Sequence, residues 1–138
     1  ISGSSYCNKC AAGTFASEKG LKKCTKCPAG TANPVIGSTS ISSCSNCSVG
    51  TYSAKSGSET CRRCTFGSYQ NQVGSSVCKK CPQYNVGIKL GATSEEDGCR
   101  SCEAGQGWDK ETFECIECEA GEYGENITIG SISSYVID

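Results

Sequence analysis

The sequence contains no histidine and no methionine, and it has only three prolines and one tryptophan in 138 residues. Without histidine, the chain lacks the side chain that most often serves as a general base or as a neutral metal ligand. The acidic runs at 94–98 and 109–122 adjoin no apolar segment that would form a pocket and shift a carboxyl pKa. These absences predict a protein with no catalytic residues, no metal site and no cofactor.

Large apolar side chains are also scarce, since leucine, isoleucine, valine and phenylalanine together number only 20. So few cannot fill a conventional core in a chain of this length. Fourteen cysteines offer another means of stabilisation, because small extracellular domains that are short of apolar surface rely on disulfides. The chain begins at Ile1 and contains neither a signal-peptide core nor an apolar run that spans a bilayer. We therefore expect a processed secreted or cell-surface protein without a transmembrane segment.

Charge is divided along the sequence, although the net charge is only −1. Residues 1–94 hold 11 lysines and arginines and two acidic residues, whereas residues 95–138 hold two basic and 12 acidic residues. A basic leading region and an acidic trailing region attract one another when two copies meet end to end.

The pI near 5.5 argues against nucleic acid as a partner. A glycan or another anionic surface is a candidate partner for three exposed basic pairs: Lys22/Lys23, Arg62/Arg63 and Lys79/Lys80.

The cysteines form seven Cys-x-x-Cys pairs, at 7/10, 24/27, 44/47, 61/64, 78/81, 99/102 and 115/118. Such regular spacing is typical of a tandem array. Glycine follows the second cysteine by three residues in "CAAGTF" (10–15), "CPAGTA" (27–32), "CSVGTY" (47–52), "CTFGSY" (64–69) and "CEAGEY" (118–123). Another glycine precedes the next cysteine in "GLKKC" (20–24), "GSETC" (57–61) and "GSSVC" (74–78). Two glycines flanking a short polar segment predict an irregular β-hairpin.

An aromatic residue follows the first glycine of most units. We expect each ring to cover a disulfide as a miniature core, the residues being Phe15, Tyr52, Tyr69 and Tyr123. Two units depart from the pattern. "CPQYNVG" (81–87) has Tyr84 where glycine is expected, and "CEAGQGW" (102–108) moves its aromatic residue one place along, to Trp108.

The run Cys-x-x-Gly-x-aromatic, closed by Gly-x-x-x-Cys-x-x-Cys, resembles the cysteine-rich repeats of growth-factor-receptor and ephrin-receptor-like ectodomains and the first half-module of tumour necrosis factor receptor repeats. Its Ser, Thr, Gly and Asn bias makes it most similar to the repeat-rich surface proteins and immobilisation antigens of ciliate protozoa. The resemblance implies a small disulfide-rich fold of short β-hairpins and irregular loops, forming an elongated extracellular rod without catalytic activity. It divides the chain into a closing half-module (1–9), about six modules in tandem (10–118), and an opening half-module with a strand-like tail (118–138).

The same resemblance implies a disulfide pairing. In the receptor half-module, the cysteine before the Gly-aromatic segment bonds the next cysteine across the loop. Carried over, this gives Cys10–Cys24, Cys27–Cys44, Cys47–Cys61, Cys64–Cys78, Cys81–Cys99 and Cys102–Cys115. An interleaved scheme that begins with Cys7–Cys24 and Cys10–Cys27 also fits the spacings.

The sequential scheme leaves Cys7 and Cys118 unpaired. The segment "GSSYC" (3–7) matches the closing half of a unit, and "CEAGEY" (118–123) matches the opening half. We therefore expect an interchain disulfide from Cys118 to Cys7 of the next copy, in a homopolymer built head to tail as a filament or surface coat. Two alternatives stay open: a monomeric surface antigen or receptor-like ectodomain that binds a protein or glycan ligand, and a fragment cut from a longer array.

The tail adds a second possible subunit contact. Its apolar residues alternate in part with polar ones, as in a strand with one buried face, and they are Ile127, Ile129, Ile132, Val136 and Ile137. Such a strand either folds back on its own last module or adds to the neighbouring subunit. The sequence "NIT" makes Asn126 a glycosylation acceptor.

Zinc knuckles are another use of repeated Cys-x-x-Cys pairs. Seven pairs leave one pair over after three four-cysteine sites, and the loops are shorter than zinc sites favour. Redox catalysis by Cys-x-x-Cys needs a thioredoxin-like βαβ context, which the sequence lacks. Structural disulfides therefore remain the preferred interpretation.

Overall fold

The computed structural model describes residues 6–112 and 114–124. Within these residues the secondary structure consists almost entirely of very short strands. The strands are β1 (Thr14–Phe15), β2 (Thr25–Lys26), β3 (Thr31–Ala32), β4 (Ser45–Asn46), β5 (Thr51–Tyr52), β6 (Arg62–Arg63), β7 (Ser68–Tyr69), β8 (Lys79–Lys80), β9 (Asn85–Gly87), β10 (Cys99–Ser101), β11 (Gln106–Asp109) and β12 (Glu114–Glu117). A 3-10 helix covers Ile41–Ser43, and a single-turn helix, α1, covers Glu95–Gly98.

The strands pair two by two along the chain, from β1 with β2 to β11 with β12. In the first hairpin, which is antiparallel, Thr14 lies opposite Lys26 and Phe15 lies opposite Thr25. The first strand of each hairpin follows the opening cysteine, and the second strand overlaps the linker between two consecutive cysteines. The predicted fold class of disulfide-rich short hairpins in tandem modules is therefore confirmed.

A local turn explains why Thr or Ser follows the first glycine of a unit. Gly13 has a φ of 84°, a conformation that favours glycine. The N–H and the side-chain hydroxyl of Thr14 both donate to the carbonyl of Ala11, at 3.1 and 2.7 Å. The same hydroxyl bond to the residue three positions back is made by Thr31, Thr51 and Ser68. The glycine thus reverses the chain, and the hydroxyl holds the turn before the strand begins.

The core consists mainly of disulfides and small polar side chains. Cys27 and Cys64 have no exposed surface, and Cys47 is 1% exposed. The sixth residue after the opening cysteine is polar yet buried in three successive modules, at Asn33, Ser53 and Gln70. A chain with few large apolar residues therefore fills its interior with sulfur atoms and hydrogen-bonded polar groups.

The predicted aromatic covers have unequal burial. Phe15 is 7% exposed, whereas Tyr123 is 45% exposed. Tyr52 and Tyr69 are half-buried. The two units that depart from the repeat pattern combine their rings, because Tyr84 and Trp108 stack edge to face with centroids 5.6 Å apart.

The chain forms two compact units. One comprises Ile1–Arg62 together with Gln72–Val77, and the other comprises Arg63–Asn71 together with Cys78–Asp138. Inside the first, the N–H of Gly74 donates to the carbonyl of Cys47. Inside the second, the N–H of Gly91 donates to the carbonyl of Cys64. The predicted glycosylation site Asn126 and the predicted tail strand lie outside the described residues.

Candidate functional site

Six disulfides close the six modules. Their Cα atoms are 5.4 to 5.8 Å apart, and they join Cys10–Cys24, Cys27–Cys44, Cys47–Cys61, Cys64–Cys78, Cys81–Cys99 and Cys102–Cys115. These are the sequential pairs that the receptor resemblance implies, and the interleaved scheme does not occur. The twelve cysteines in these bridges are not available as zinc ligands, because zinc binds the free thiolate.

Cys7 and Cys118 form no disulfide within the chain. Cys7 is exposed, and Cys118 is half-buried. Each lies beside a bridged cysteine, Cys10 and Cys115 respectively, at the same Cys-x-x-Cys spacing as every other linker. Among the described residues, these are the two cysteines that remain able to form a disulfide with another chain.

Consecutive modules dock through a backbone hydrogen bond that recurs. In each of the first four modules, the carbonyl of the opening cysteine accepts from the N–H of a glycine in the loop of the next module, and that glycine has positive φ. The bonds are 2.7 to 2.8 Å long and join Cys10 to Gly37, Cys27 to Gly57, Cys47 to Gly74 and Cys64 to Gly91. We call Gly37, Gly57, Gly74 and Gly91 the loop glycines. Gly20 of the first module is a fifth loop glycine by its position and by its φ of 77°.

Two further contacts occur between consecutive modules. In the first two modules, the glycine three residues after the opening cysteine donates its N–H to the carbonyl at the sixth position of the next module, as in Gly13 to Asn33 and Gly30 to Ser53, and Gly105 donates to Gly124 in the same way. The side chain that precedes the opening cysteine lies beside the loop glycine, as Lys9 does at Gly37, Lys26 at Gly57, Asn46 at Gly74 and Arg63 at Gly91. The junctions at Gly37 and Gly57 therefore combine all three contacts in one register.

An apolar loop protrudes from the second module. Val35 and Ile36 are 57% and 64% exposed. The loop is fixed by Asn33, whose side chain is completely buried, donates to Ser38 Oγ at 2.9 Å and accepts from the Val35 N–H at 3.0 Å. A buried amide with several partners keeps these two apolar side chains in one position.

We expect Asn33→Ala to lower the free energy of unfolding by about 2 kcal/mol, because it removes these bonds and leaves buried partners without a hydrogen bond. The control is Asn8→Ala, since Asn8 is exposed and its truncation should change stability by less than about 0.5 kcal/mol. Equilibrium denaturation with disulfides intact measures both. Equal, small effects of the two substitutions would contradict a structural role for Asn33.

A carboxylate organises the start of α1. Asp97 accepts from the Thr93 N–H at 3.1 Å and from Lys89 Nζ at 3.1 Å. The hydrogen bond from the Thr93 backbone, with that from Lys89, lowers the pKa of Asp97 below its usual value of 3.8. Because the folded pKa is the lower one, this stabilisation is present above pH 3.8 and is lost as the pH falls through the folded pKa.

We expect Lys89→Gln to raise the pKa of Asp97 only part of the way to its usual value, because the backbone bond from Thr93 is the larger cause. A carboxyl-detected NMR titration measures this pKa directly. Asp109 is the internal control, since its lowered pKa derives from Glu111 and Thr112 and should not move. Complete return of the Asp97 pKa to its ordinary value would show that Lys89 alone controls it.

Within the described residues, no helix is long and apolar enough to cross a membrane. No group of three potential metal ligands occurs in residues 6–112 and 114–124.

Comparison with known families agrees with this architecture. A family model described as tyrosine-protein kinase ephrin type A/B receptor-like matches residues 2–44 and 50–99, more than half of the chain. The chain belongs to the ephrin type A/B receptor-like family. No curated protein matches it. Membership in the ephrin receptor-like family indicates a non-enzymatic, extracellular, receptor-like module, and the six disulfides suit an extracellular location.

The ephrin receptor-like match leaves several sequence predictions untested. Similarity to ciliate immobilisation antigens, formation of a homopolymer and glycosylation of Asn126 all stay predictions. Binding of a glycan or anionic surface by the basic pairs also stays a prediction. The pairs Arg62/Arg63 and Lys79/Lys80 lie on exposed strands.

Sequence reasoning missed the docking function of the loop glycines and the buried sixth position. The glycines were recognised only as hairpin residues, because nothing local shows that their N–H groups bond another module. The sixth position was overlooked because it holds Asn, Ser and Gln, residues that are mostly exposed in proteins. Its constant distance from the opening cysteine in this ephrin receptor-like repeat was the available signal.

Proposed function

We propose that the chain is a non-catalytic extracellular structural subunit that joins other copies head to tail in a filament or surface coat. The bond between copies is a disulfide from Cys118 of one copy to Cys7 of the next. One observation carries this proposal: the two described cysteines outside any disulfide, the exposed Cys7 and the half-buried Cys118, belong to complementary halves of a module. The family match supports an extracellular, non-enzymatic role.

The bond requires an oxidant, for which a small-molecule disulfide such as oxidised glutathione suffices. The Cys118 thiol loses its proton and attacks one sulfur of that disulfide, which releases one small thiol and leaves a mixed disulfide. The Cys7 thiolate then attacks the Cys118 sulfur and releases the second small thiol. Two protein thiols are oxidised to one disulfide, and one small disulfide is reduced to two thiols.

Two single-cysteine copies of the full chain test this bond. The first carries Cys7→Ser and keeps Cys118, and the second carries Cys118→Ser, keeps Cys7 and is isotopically labelled. When they are mixed with oxidised glutathione, we expect mixed dimers to exceed both kinds of like dimer, because complementary halves orient Cys118 toward Cys7. A non-reducing gel and mass spectrometry of the dimer band measure the proportions.

Statistical pairing of the two copies, or no dimer at all, would overturn the head-to-tail bond. Native material provides the second arm, with thiols alkylated before unfolding. A ladder that collapses to one 14.4 kDa band on reduction and a peptide joining Cys118 to Cys7 would support the polymer. A peptide joining either cysteine to a sequence outside this chain would show instead that neighbouring repeats of a longer protein complete the modules.

The tail belongs to the same proposal. Residues 126–138 supply a strand to the neighbouring subunit, and the apolar residues Ile127, Ile129, Ile132, Val136 and Ile137 form its contact face. A glycan on Asn126 would then have to point away from that face. The alternation of apolar and polar residues supports this part, and deletion of residues 126–138 should weaken association without abolishing the disulfide.

A receptor-like ectodomain is the second candidate function, and the Val35–Ile36 loop favours it. Two exposed apolar side chains on a loop fixed by a buried Asn33 suit a contact with a protein ligand. The family match and the resemblance to ciliate surface antigens support a display role on a cell surface. Val35→Ser with Ile36→Ser should reduce adhesion of the labelled chain to its source cells, whereas Ile41→Ser, a change at a residue 60% exposed outside the loop, should not.

A further inference from the structure

We infer that the opening half-module at Cys118 docks on residues 16–23 of a second copy, with the Cys118 carbonyl accepting from the Gly20 N–H and Glu117 facing Lys19 and Lys22. This inference rests on the proposed head-to-tail assembly and specifies its register. The partner is a second copy of this chain, because the acidic linker before Cys118 complements the basic loop at residues 18–23.

The first step is that both ends of the array carry unused docking groups. Among the described residues, the carbonyl of Cys118 and the N–H of Gly20 take part in no hydrogen bond. The same is true of the Gly121 N–H and the Ala16 carbonyl. Gly20 and Gly121 are exposed, and no atom lies near either position where a side chain would begin.

The second step is that these four groups are the missing halves of the recurring junction. Cys118 is an opening cysteine and Gly20 is a loop glycine, so they match the Cys10 to Gly37 bond and its three equivalents. Gly121 lies three residues after its cysteine, and Ala16 lies at the sixth position of the first module. They therefore match the bond from Gly13 to Asn33. A second copy placed in the register of the described junctions would make both bonds, with a disulfide from Cys118 to Cys7 completing the intervening module.

The third step concerns the side chain beside the loop glycine. In the described junctions this residue is Lys9, Lys26, Asn46 or Arg63, and before Cys118 it is Glu117. The loop that Glu117 would meet is "EKGLKK" (18–23), which contains three lysines. Glu117, Lys19 and Lys22 are all exposed, and none of them has an ion-pair partner in the described residues. The reversed charge of the linker thus coincides with the most basic loop.

The test uses the same two single-cysteine copies of the full chain. Glu117→Lys in the copy that keeps Cys118 should slow mixed-dimer formation about fivefold, the upper range for an exposed ion pair. Lys19→Glu with Lys22→Glu in the copy that keeps Cys7 should do the same. Combining both reversed copies should restore the rate to within about twofold of the original. Glu114→Lys is the matched control, since it makes the same charge change on the exposed face of the same strand.

The possible results separate this inference from the proposed function. Rescue by the reversed pair, with little effect of Glu114→Lys, would support the register. Mixed dimers that form at equal rates in all combinations would overturn the register and leave the Cys118–Cys7 bond standing. A uniform slowing by Glu117→Lys and Glu114→Lys, without rescue, would reduce the effect to net charge and overturn it too. The absence of mixed dimers in every combination would overturn both the inference and the assembly, and thiol counts and hydrogen exchange on each copy verify that it is folded.

Discussion

Removal of the Cys27–Cys44 disulfide by Cys27→Ala with Cys44→Ala is expected to lower the free energy of unfolding of its module by about 3 kcal/mol or more. The bridge spans 17 residues, and opening a loop of that size restores about 3 kcal/mol of chain entropy to the unfolded state. Cys27 has no exposed surface, so truncation also leaves a small cavity in an interior with few other side chains to fill it.

Hydrogen exchange measures this loss locally. The Gly57 N–H bonds the Cys27 carbonyl and the Cys47 N–H bonds the Gly30 carbonyl, so both amides should lose protection. Cys7→Ala is the control, because Cys7 is exposed and forms no disulfide, and it should leave the two amides unchanged. If the double substitution behaved like Cys7→Ala, the disulfides would not be the main source of stability.

The hairpins and their bridges were predictable because their causes are local. A glycine with positive φ, a hydroxyl three residues from the carbonyl it binds, and a cysteine on each side of the loop all lie within one unit, as Gly13, Thr14 and Cys10 show. The units repeat, so each repetition strengthened the same interpretation. Tyr84 and Trp108, the departures from the repeat, were also visible in the sequence, but their edge-to-face contact joins two different modules.

The parts of the fold that were not predictable depend on how modules stack. Phe15 and Tyr123 occupy the same place in the motif, yet one is buried and the other is 45% exposed. Phe15 lies against the neighbouring module, where it forms a β-bridge to Ser38. The candidate site follows the same rule: Cys7 and Cys118 were predicted from the sequence, whereas the docking role proposed for Gly20 is apparent only by comparison with Gly37 and its equivalents.

The second large effect is expected from Gly13→Ala compared with Gly67→Ala. The two glycines hold the same motif position with φ values of 84° and 85°, so an alanine costs about 1–2 kcal/mol of backbone strain at either one. They differ in surroundings. A Cβ at Gly13 would overlap the carbonyl oxygen of Gly57, whereas one at Gly67 would meet nothing within 4 Å.

Gly57 cannot easily move aside, because its N–H is held by the Cys27 carbonyl at 2.8 Å. Gly13→Ala should therefore cost about 2 kcal/mol more than Gly67→Ala, in the range of overpacked interiors. Equivalent amides measure each change within its own unit, since the Cys27 N–H bonds the Gly13 carbonyl and the Cys81 N–H bonds the Gly67 carbonyl. A similar loss of protection at both amides would mean that backbone conformation alone selects these glycines. A larger loss of protection at the Cys27 amide would show that the close approach of modules selects Gly13 as strongly as its turn does. No motif in the sequence reveals that close approach.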